Sequence, residues 1–362
     1  MIFSGNKTIE VKEYQNNSVT TKYAHLLSIN NHNDINVNGW KLSIAIARAL
    51  CSNQLNRREF YFDIIQSILN LSFLIHGQSN DLRLNSTRIH RLRDFSRTNK
   101  IGELGQGITW LYLEEESDYP FVADFNYFCE INGIHVPPNS STPDFVSQDT
   151  NHSTKICLAE SKGKELNSKT TIKKSLKKGL KQCDYGEILI KKKQPFKVAK
   201  KLVFCSEFSN ENDPSNSNLH FTDPNKEIIE FSENELIYKL HYASWFYLIG
   251  DFSNVERLIK GRAINFDEKR FEKIELNKTS FWTIPFLNRF ILENYISQLP
   301  IEIYPRFIIN GINLKLGISV RVVDYLRSKK ARKNELIESI SESNYEIFRD
   351  GTLIYNLKRN KE

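Results

Sequence analysis

The chain has little of what metal fingers, disulfide scaffolds and membrane spans are built from. Its five cysteines (Cys51, Cys129, Cys157, Cys183 and Cys205) contain no C-x-x-C pair and are odd in number. Neither a zinc site nor a disulfide framework is therefore expected, and a reducing compartment is. The eight histidines do not gather near those cysteines, which removes the mixed zinc-ligand sets as well. No stretch approaches 18 uncharged apolar residues, and the opening MIFSGNKTIEVKEY has no apolar signal-like segment, so the expectation is a cytoplasmic protein with no membrane contact. Internal repeats and long low-complexity segments are missing too. The one glycine pair that invites a phosphate loop, Gly105-Gln106-Gly107, has no lysine after it and sits in a helical pattern, which excludes that motif.

What is present suffices for a core. Across 362 residues the hydrophobic fraction is 40% and the aromatic fraction 12%, which predicts one large domain or two modest ones. Fifty basic residues against 43 acidic ones leave a net charge of +7, compatible with a polyanionic partner but too small to require one.

Periodicity orders the chain. KTIEVKEY reads as a short strand, and NGWKLSIAIARALCSNQ and RREFYFDIIQSILNLSFLIHG read as amphipathic helices. A polar stretch then carries Arg83, Arg88, Arg91, Arg93 and Arg97, with Arg58 upstream. In the centre, IGELGQGITWLYLEEE predicts a helix, FVADFNYFCEI a strand ending at Asn132-Gly133, TPDFVSQ and KICLAESKGK two more strands around the turn DTNHS, SKTTIKKSLKKGLKQCDYG a helix, and KKLVFCSEF a strand. This order predicts an α/β (α+β) fold with a central mixed sheet flanked by helices. Three regions follow: a mainly helical 1–99, the central 100–208, and a mainly helical 219–362. The last contains SENELIYKLHYASWFYLIGD, WTIPFLNRFILENYISQL, GISVRVVDYLRSKKA and NELIESISE, and ends in a hairpin turning at Asp350-Gly351.

The chemistry concentrates at Thr142–Lys164. Hydrolysis of a phosphodiester with a divalent ion needs one or two carboxylates to hold the metal and a cation to steady the attacking water and the developing charge. Asp144 opens one expected strand, and Glu160 and Lys162 close its neighbour. Strand alternation points Glu160 and Lys162 to one side, with Ala159 and Ser161 facing away. Pro143-Asp144 followed by Glu160-Ser161-Lys162 resembles the PD-(D/E)xK nuclease superfamily, the restriction-endonuclease-like fold.

The resemblance covers roughly residues 100–208. It implies that Asp144 and Glu160 ligate Mg²⁺, with Mn²⁺ as a substitute, that the backbone carbonyl of Ser161 joins them, and that Lys162 is the catalytic lysine. It adds Glu103 as the acidic residue of the preceding helix. Gln182 with Tyr185 is similar to a glutamine–tyrosine element of RecB-like members, one residue shorter in spacing. The activity implied is a metal-dependent endonuclease on DNA, and the superfamily association suggests restriction or antiphage defence. Three readings stay open beside it: charged strand ends on an unrelated α/β domain, a nucleic-acid-binding regulator that uses the fold without cleavage, and a subunit that needs a partner protein. Double-strand cleavage would suggest a homodimer.

Twelve lysines against two acids lie between Lys169 and Lys201. Like charges at i,i+4 destabilise a helix by a few tenths of a kcal/mol, so Lys173, Lys174, Lys177, Lys178 and Lys181 are candidates for phosphate contact as well as for a solvated face. Glu114, Glu115, Glu116 and Asp118 read as a solvated helix end, and His135 and His152 as turn residues. The terminal helix–helix–hairpin order with RSKKARK resembles a winged helix, or else a small cap or dimerisation element.

Overall fold

The alternation in KTIEVKEY and the apolar run in KICLAESKGK both fold as strands, and they enter one sheet. Its strands are β1 (Asn6–Tyr14), β2 (Ser28–Asn31), β3 (Ile35–Asn38), β4 (Phe121–Asp124), β5 (Phe145–Gln148), β6 (Lys155–Glu165), β7 (Lys197–Phe208) and β8 (Asn218–Thr222). The computed structural model describes residues 6–22, 24–61, 74–166, 168–192, 195–224, 232–286, 314–328, 336–342 and 344–356. The strand order is β2-β1-β8-β7-β6-β5-β4, with β3 also paired to β1. β6–β7 and β1–β8 run parallel, while β4–β5, β5–β6 and β7–β8 run antiparallel. The sheet is therefore mixed, as expected from the element order. β6 is buried along most of its length, the mark of a strand covered on both faces.

Two helices cover it. The long helix Asp94–Glu116 lies on one face and runs antiparallel to β6. Thr109 donates to Ser161 at 3.0 Å, a Cβ on Gly105 would sit 3.1 Å from Gly163 Cα, and Arg97 pairs with Glu165. The lysine-rich helix Ile172–Lys191 connects β6 to β7 and crosses the other face, its first turn capped by Thr171, which accepts from Lys174 N. All five cysteines are buried free thiols. Among the described residues no helix is long and apolar enough to cross a membrane.

The chain divides into two compact units, Met1–Asn53 with Asp63–Ile237 and Gln54–Phe62 with Tyr238–Glu362. In the second, β9 (Glu272–Leu276), β10 (Thr279–Pro285), β11 (Leu314–Ser319), β12 (Ile340–Ser341), β13 (Tyr345–Ile347) and β14 (Thr352–Asn356) form a sheet of order β12-β13-β14-β11-β10-β9. All its pairings are antiparallel, around Phe281, Ile347 and Leu353. The hairpin turns at Asp350-Gly351, where Gly351 adopts φ 83°.

Several expectations are corrected. Residue 99 does not separate units, and the strands of 1–99 belong with the central region: β1 pairs with β8 inside the main sheet. Nor are the described residues of 219–362 mainly helical, since their strands build the second sheet. FVADFNYFCEI is strand only to Asp124, whose side chain accepts from Tyr127 N at 2.7 Å and starts the helix Phe125–Ile131. GISVRVVDYLRSKKA switches in the same way at Ser319, which accepts from Val322 N at 3.3 Å and opens the helix Val320–Ser328. The described part of NELIESISE is extended, with Ile340 paired to Ile347, so the helix–helix–hairpin order of a winged helix does not form there. Most of RREFYFDIIQSILNLSFLIHG, WTIPFLNRFILENYISQL and RSKKARK lies outside the described residues.

Only half of the acidic cluster is solvated: Glu116 and Asp118 are exposed, while Glu114 and Glu115 are buried. The helix Gly39–Cys51 packs along the long helix, and Arg48 donates to Glu114 at 2.6 Å with both side chains fully buried. Lys41 pairs with Glu115 at 2.8 Å, and the Arg48 guanidinium lies 5.4 Å from the Trp110 ring centre. Removing one partner of a buried ion pair costs about 3–5 kcal/mol. Arg48→Met is therefore expected to lower the unfolding free energy by about that amount in a urea titration, and a loss under about 1 kcal/mol would contradict the pairing.

Candidate active site

β5 and β6 pair with Phe145 opposite Ala159, which sets Asp144 across from Glu160. The two acids are tied through the backbone. Asp144 N–H donates to Glu160 Oε2 at 3.1 Å, and Ser161 N–H donates to Asp144 Oδ2 at 2.9 Å. A residue's N–H and C=O share one edge of a strand, so the Ser161 carbonyl opens on the Asp144 side as well. Lys162 Nζ donates to Glu160 Oε1, which places these two side chains on one face of β6. Ser161 and Gly163 face the long helix instead.

Both helices approach the pair through glycines. A Cβ on Gly179 would lie 3.1 Å from Glu160 Cγ, and one on Gly186 would lie 2.7 Å from Pro143 Cδ. Glycine inside a helix costs roughly 1 kcal/mol against alanine, and here it lets the lysine-rich helix pass directly over Pro143 and Glu160. On the opposite face, the Gly105–Gly163 contact brings in Gln106, whose Nε2 donates to Asp144 Oδ1 at 3.2 Å.

The site is short of positive charge. Glu160 is fully buried, and that burial, with the adjacent Asp144 charge, pushes its carboxyl up to about 8 against the pull of Lys162. Burial also raises Asp144, while Lys162, the Ser161 N–H and Gln106 work in the other direction. Asp124, paired across to Phe145, is a third carboxylate beside them, pushed up to about 7 by burial with a contribution from Asp144. A buried and a half-buried carboxylate facing each other beside one lysine offer oxygen donors that suit a hard divalent cation such as Mg²⁺.

The remaining candidates divide. Glu103 pairs with Lys100 at 2.7 Å, and the contact from its helix to Asp144 comes from Gln106 one turn later. Gln182 donates to the Thr142 carbonyl at 2.9 Å, so it positions the loop before Pro143. Lys173 donates to the Ala24 carbonyl and Lys177 to that of Thr20 at 2.8 Å. Lys174, Lys178 and Lys181 are exposed. His152 lies in the turn at φ 49°, its ring 5.4 Å from that of Phe121, and His135 is exposed in a loop.

Sequence reasoning passed over Gln106 and Asp124. Gln106 was legible as the residue one turn beyond Glu103 on the same helix face, and Asp124 as a cap residue interrupting an apolar run. No protein-family model, curated protein or solved structure matches this chain.

The charge balance has a measurable sign. Between an ordinary value of 4.5 and a folded value of about 8, Glu160 keeps a proton that the unfolded chain has released. Its contribution to stability is thus complete at low pH and is lost as pH rises through about 8. In metal-free thermal melts, wild type is expected to lose ground to Glu160→Gln as pH rises across that window. Parallel curves for the two proteins would contradict the burial of this carboxylate.

Proposed function

We propose that the chain is a Mg²⁺-dependent nuclease with a PD-(D/E)xK core, acting on DNA as an endonuclease, with restriction or antiphage defence as its setting. The observation that carries this reading is the fully buried Glu160 tied to the half-buried Asp144 on the adjacent antiparallel strand, with Lys162 on the same face as Glu160. A charged strand end on an unrelated domain gives no reason for Glu160 to be fully buried against a second carboxylate, since such a group is costly without a cation.

Asp144 and Glu160 would hold the metal together with the Ser161 carbonyl. When bound, the ion supplies a more acidic water and neutralises charge on the phosphate. Gln106 keeps the Asp144 carboxylate turned toward the pair, and Ser161 N–H fixes its second oxygen. Lys162 Nζ, held beside Glu160, orients the attacking water and stabilises the negative charge that builds on the phosphoryl oxygens. A bond from water to phosphorus forms, the ester P–O bond breaks, and the departing oxygen takes up a proton. Gln182 acts through the loop that it holds at Thr142.

Plasmid and oligonucleotide cleavage with Mg²⁺ or Mn²⁺ tests the reading. Asp144→Ala, Glu160→Ala and Lys162→Ala are each expected to lose about a hundredfold or more in rate. Activity that survives Glu160→Ala sinks the assignment.

A further inference from the structure

The lysine-rich helix holds its uncommitted cations on a single stripe. Lys173 and Lys177 donate to backbone carbonyls of the N-terminal segment. Lys174, Lys178 and Lys181 stand at i, i+4 and i+7, spacing that puts them on one helix face, and they are exposed without an acidic partner among the described residues. The acids of this helix are committed elsewhere, because Asp184 and Glu187 both pair with Lys201.

The stripe leads into a cleft of about 440 Å³ lined by Ser140, Ser141, Lys178, Lys181, Gln182 and Tyr185. No acid lines it. Its volume falls in the range of small-molecule sites, room for one nucleotide and far too little for a duplex. Two of its lining residues carry buried polar atoms with no partner, Ser140 Oγ and Gln182 Oε1. The other end of the Gln182 amide is bonded to Thr142, two residues before Asp144. At roughly 3.3 Å per residue, the cleft therefore opens within about 7 Å of chain from the carboxylate pair.

We propose that this cleft binds one unpaired nucleotide of a single strand. Its base stacks on Tyr185, and its flanking phosphates lie on Lys178 and Lys181 with Lys174 extending the track. The strand then reaches Asp144 and Glu160 unpaired, so the preferred substrate is single-stranded or locally melted nucleic acid. This deepens the nuclease reading and rests on it for the chemistry, while the binding itself needs no metal.

The test is fluorescence anisotropy of the full chain in EDTA, with a short single-stranded oligodeoxynucleotide and a duplex of the same sequence as probes. Wild type is expected to prefer the single strand. Tyr185→Ala should weaken that probe about tenfold or more while Tyr185→Phe keeps it, as base–aromatic stacking requires. Lys178→Gln with Lys181→Gln should flatten the dependence of log affinity on log salt by about 1.4. Should Tyr185→Ala not fold, the Tyr185→Phe and lysine variants carry the test. The proposal is overturned if wild type binds the duplex as well as the single strand. It is also overturned if Tyr185→Phe binds as weakly as a chain lacking the ring, or if the salt dependence is unmoved. Cleavage separates the two claims. This binding pattern without Mg²⁺-dependent cleavage keeps the cleft and removes the nuclease reading. Cleavage with binding indifferent to Tyr185 and the lysines does the reverse.

Discussion

Two hydrogen bonds from backbone N–H groups to carboxylates, between β6 and the residue that leads into β5, organise everything around the candidate site. Asp144 N–H reaches the Glu160 carboxylate, and Ser161 N–H reaches the Asp144 carboxylate. Each acid is held by the other's strand, so their geometry follows from sheet register rather than from side-chain rotamers alone. A slip of one residue would turn Glu160 and Lys162 together to the opposite face and separate both from Asp144. The long antiparallel run of the Asp94–Glu116 helix against β6, pinned by Arg97 to Glu165, resists such a slip.

Around that register the chain sorts its charges by depth. Arg48–Glu114 and Lys41–Glu115 neutralise one another inside the first unit. At the Asp144–Glu160 pair burial raises both carboxyls, and the Asp144 charge raises Glu160 further. The lysine-rich helix divides its cations: Lys173 and Lys177 tie down the N-terminal segment, Lys201 from β7 takes the acids, and Lys174, Lys178 and Lys181 remain exposed beside the site. A buried deficit of positive charge next to an exposed surplus suits a substrate that brings both a phosphate and a counter-ion.

Much of the core was legible because its signals are local. The apolar start of β6, the turn before it, the lysine periodicity and the Asp350-Gly351 turn each sit within a few residues. What escaped depends on partners far along the chain. Nothing in KTIEVKEY says that it pairs with residues 218–222, and that pairing places the N-terminal region in the main sheet. Asp124 and Ser319 misled for a shorter-range reason, since each is one cap residue inside an apolar run long enough to read as a single element. Gln106 was legible as a neighbour of Glu103 on one helix face, but that it and not Glu103 reaches Asp144 follows from the close approach at Gly105 and Gly163, a tertiary contact. Glu114 and Glu115 looked solvated for want of Arg48 and Lys41, which lie far upstream.

Direct binding of metal to the Asp144–Glu160 pair is the central claim, and it is measurable without any substrate. Calorimetric titration of Mn²⁺ into the metal-free full chain is predicted to give a saturable site that Asp144→Asn and Glu160→Gln each weaken by more than about tenfold, since losing even an outer-shell partner of a ligand costs about that much. Affinity unchanged in both variants, or no binding in the wild type, would contradict the account.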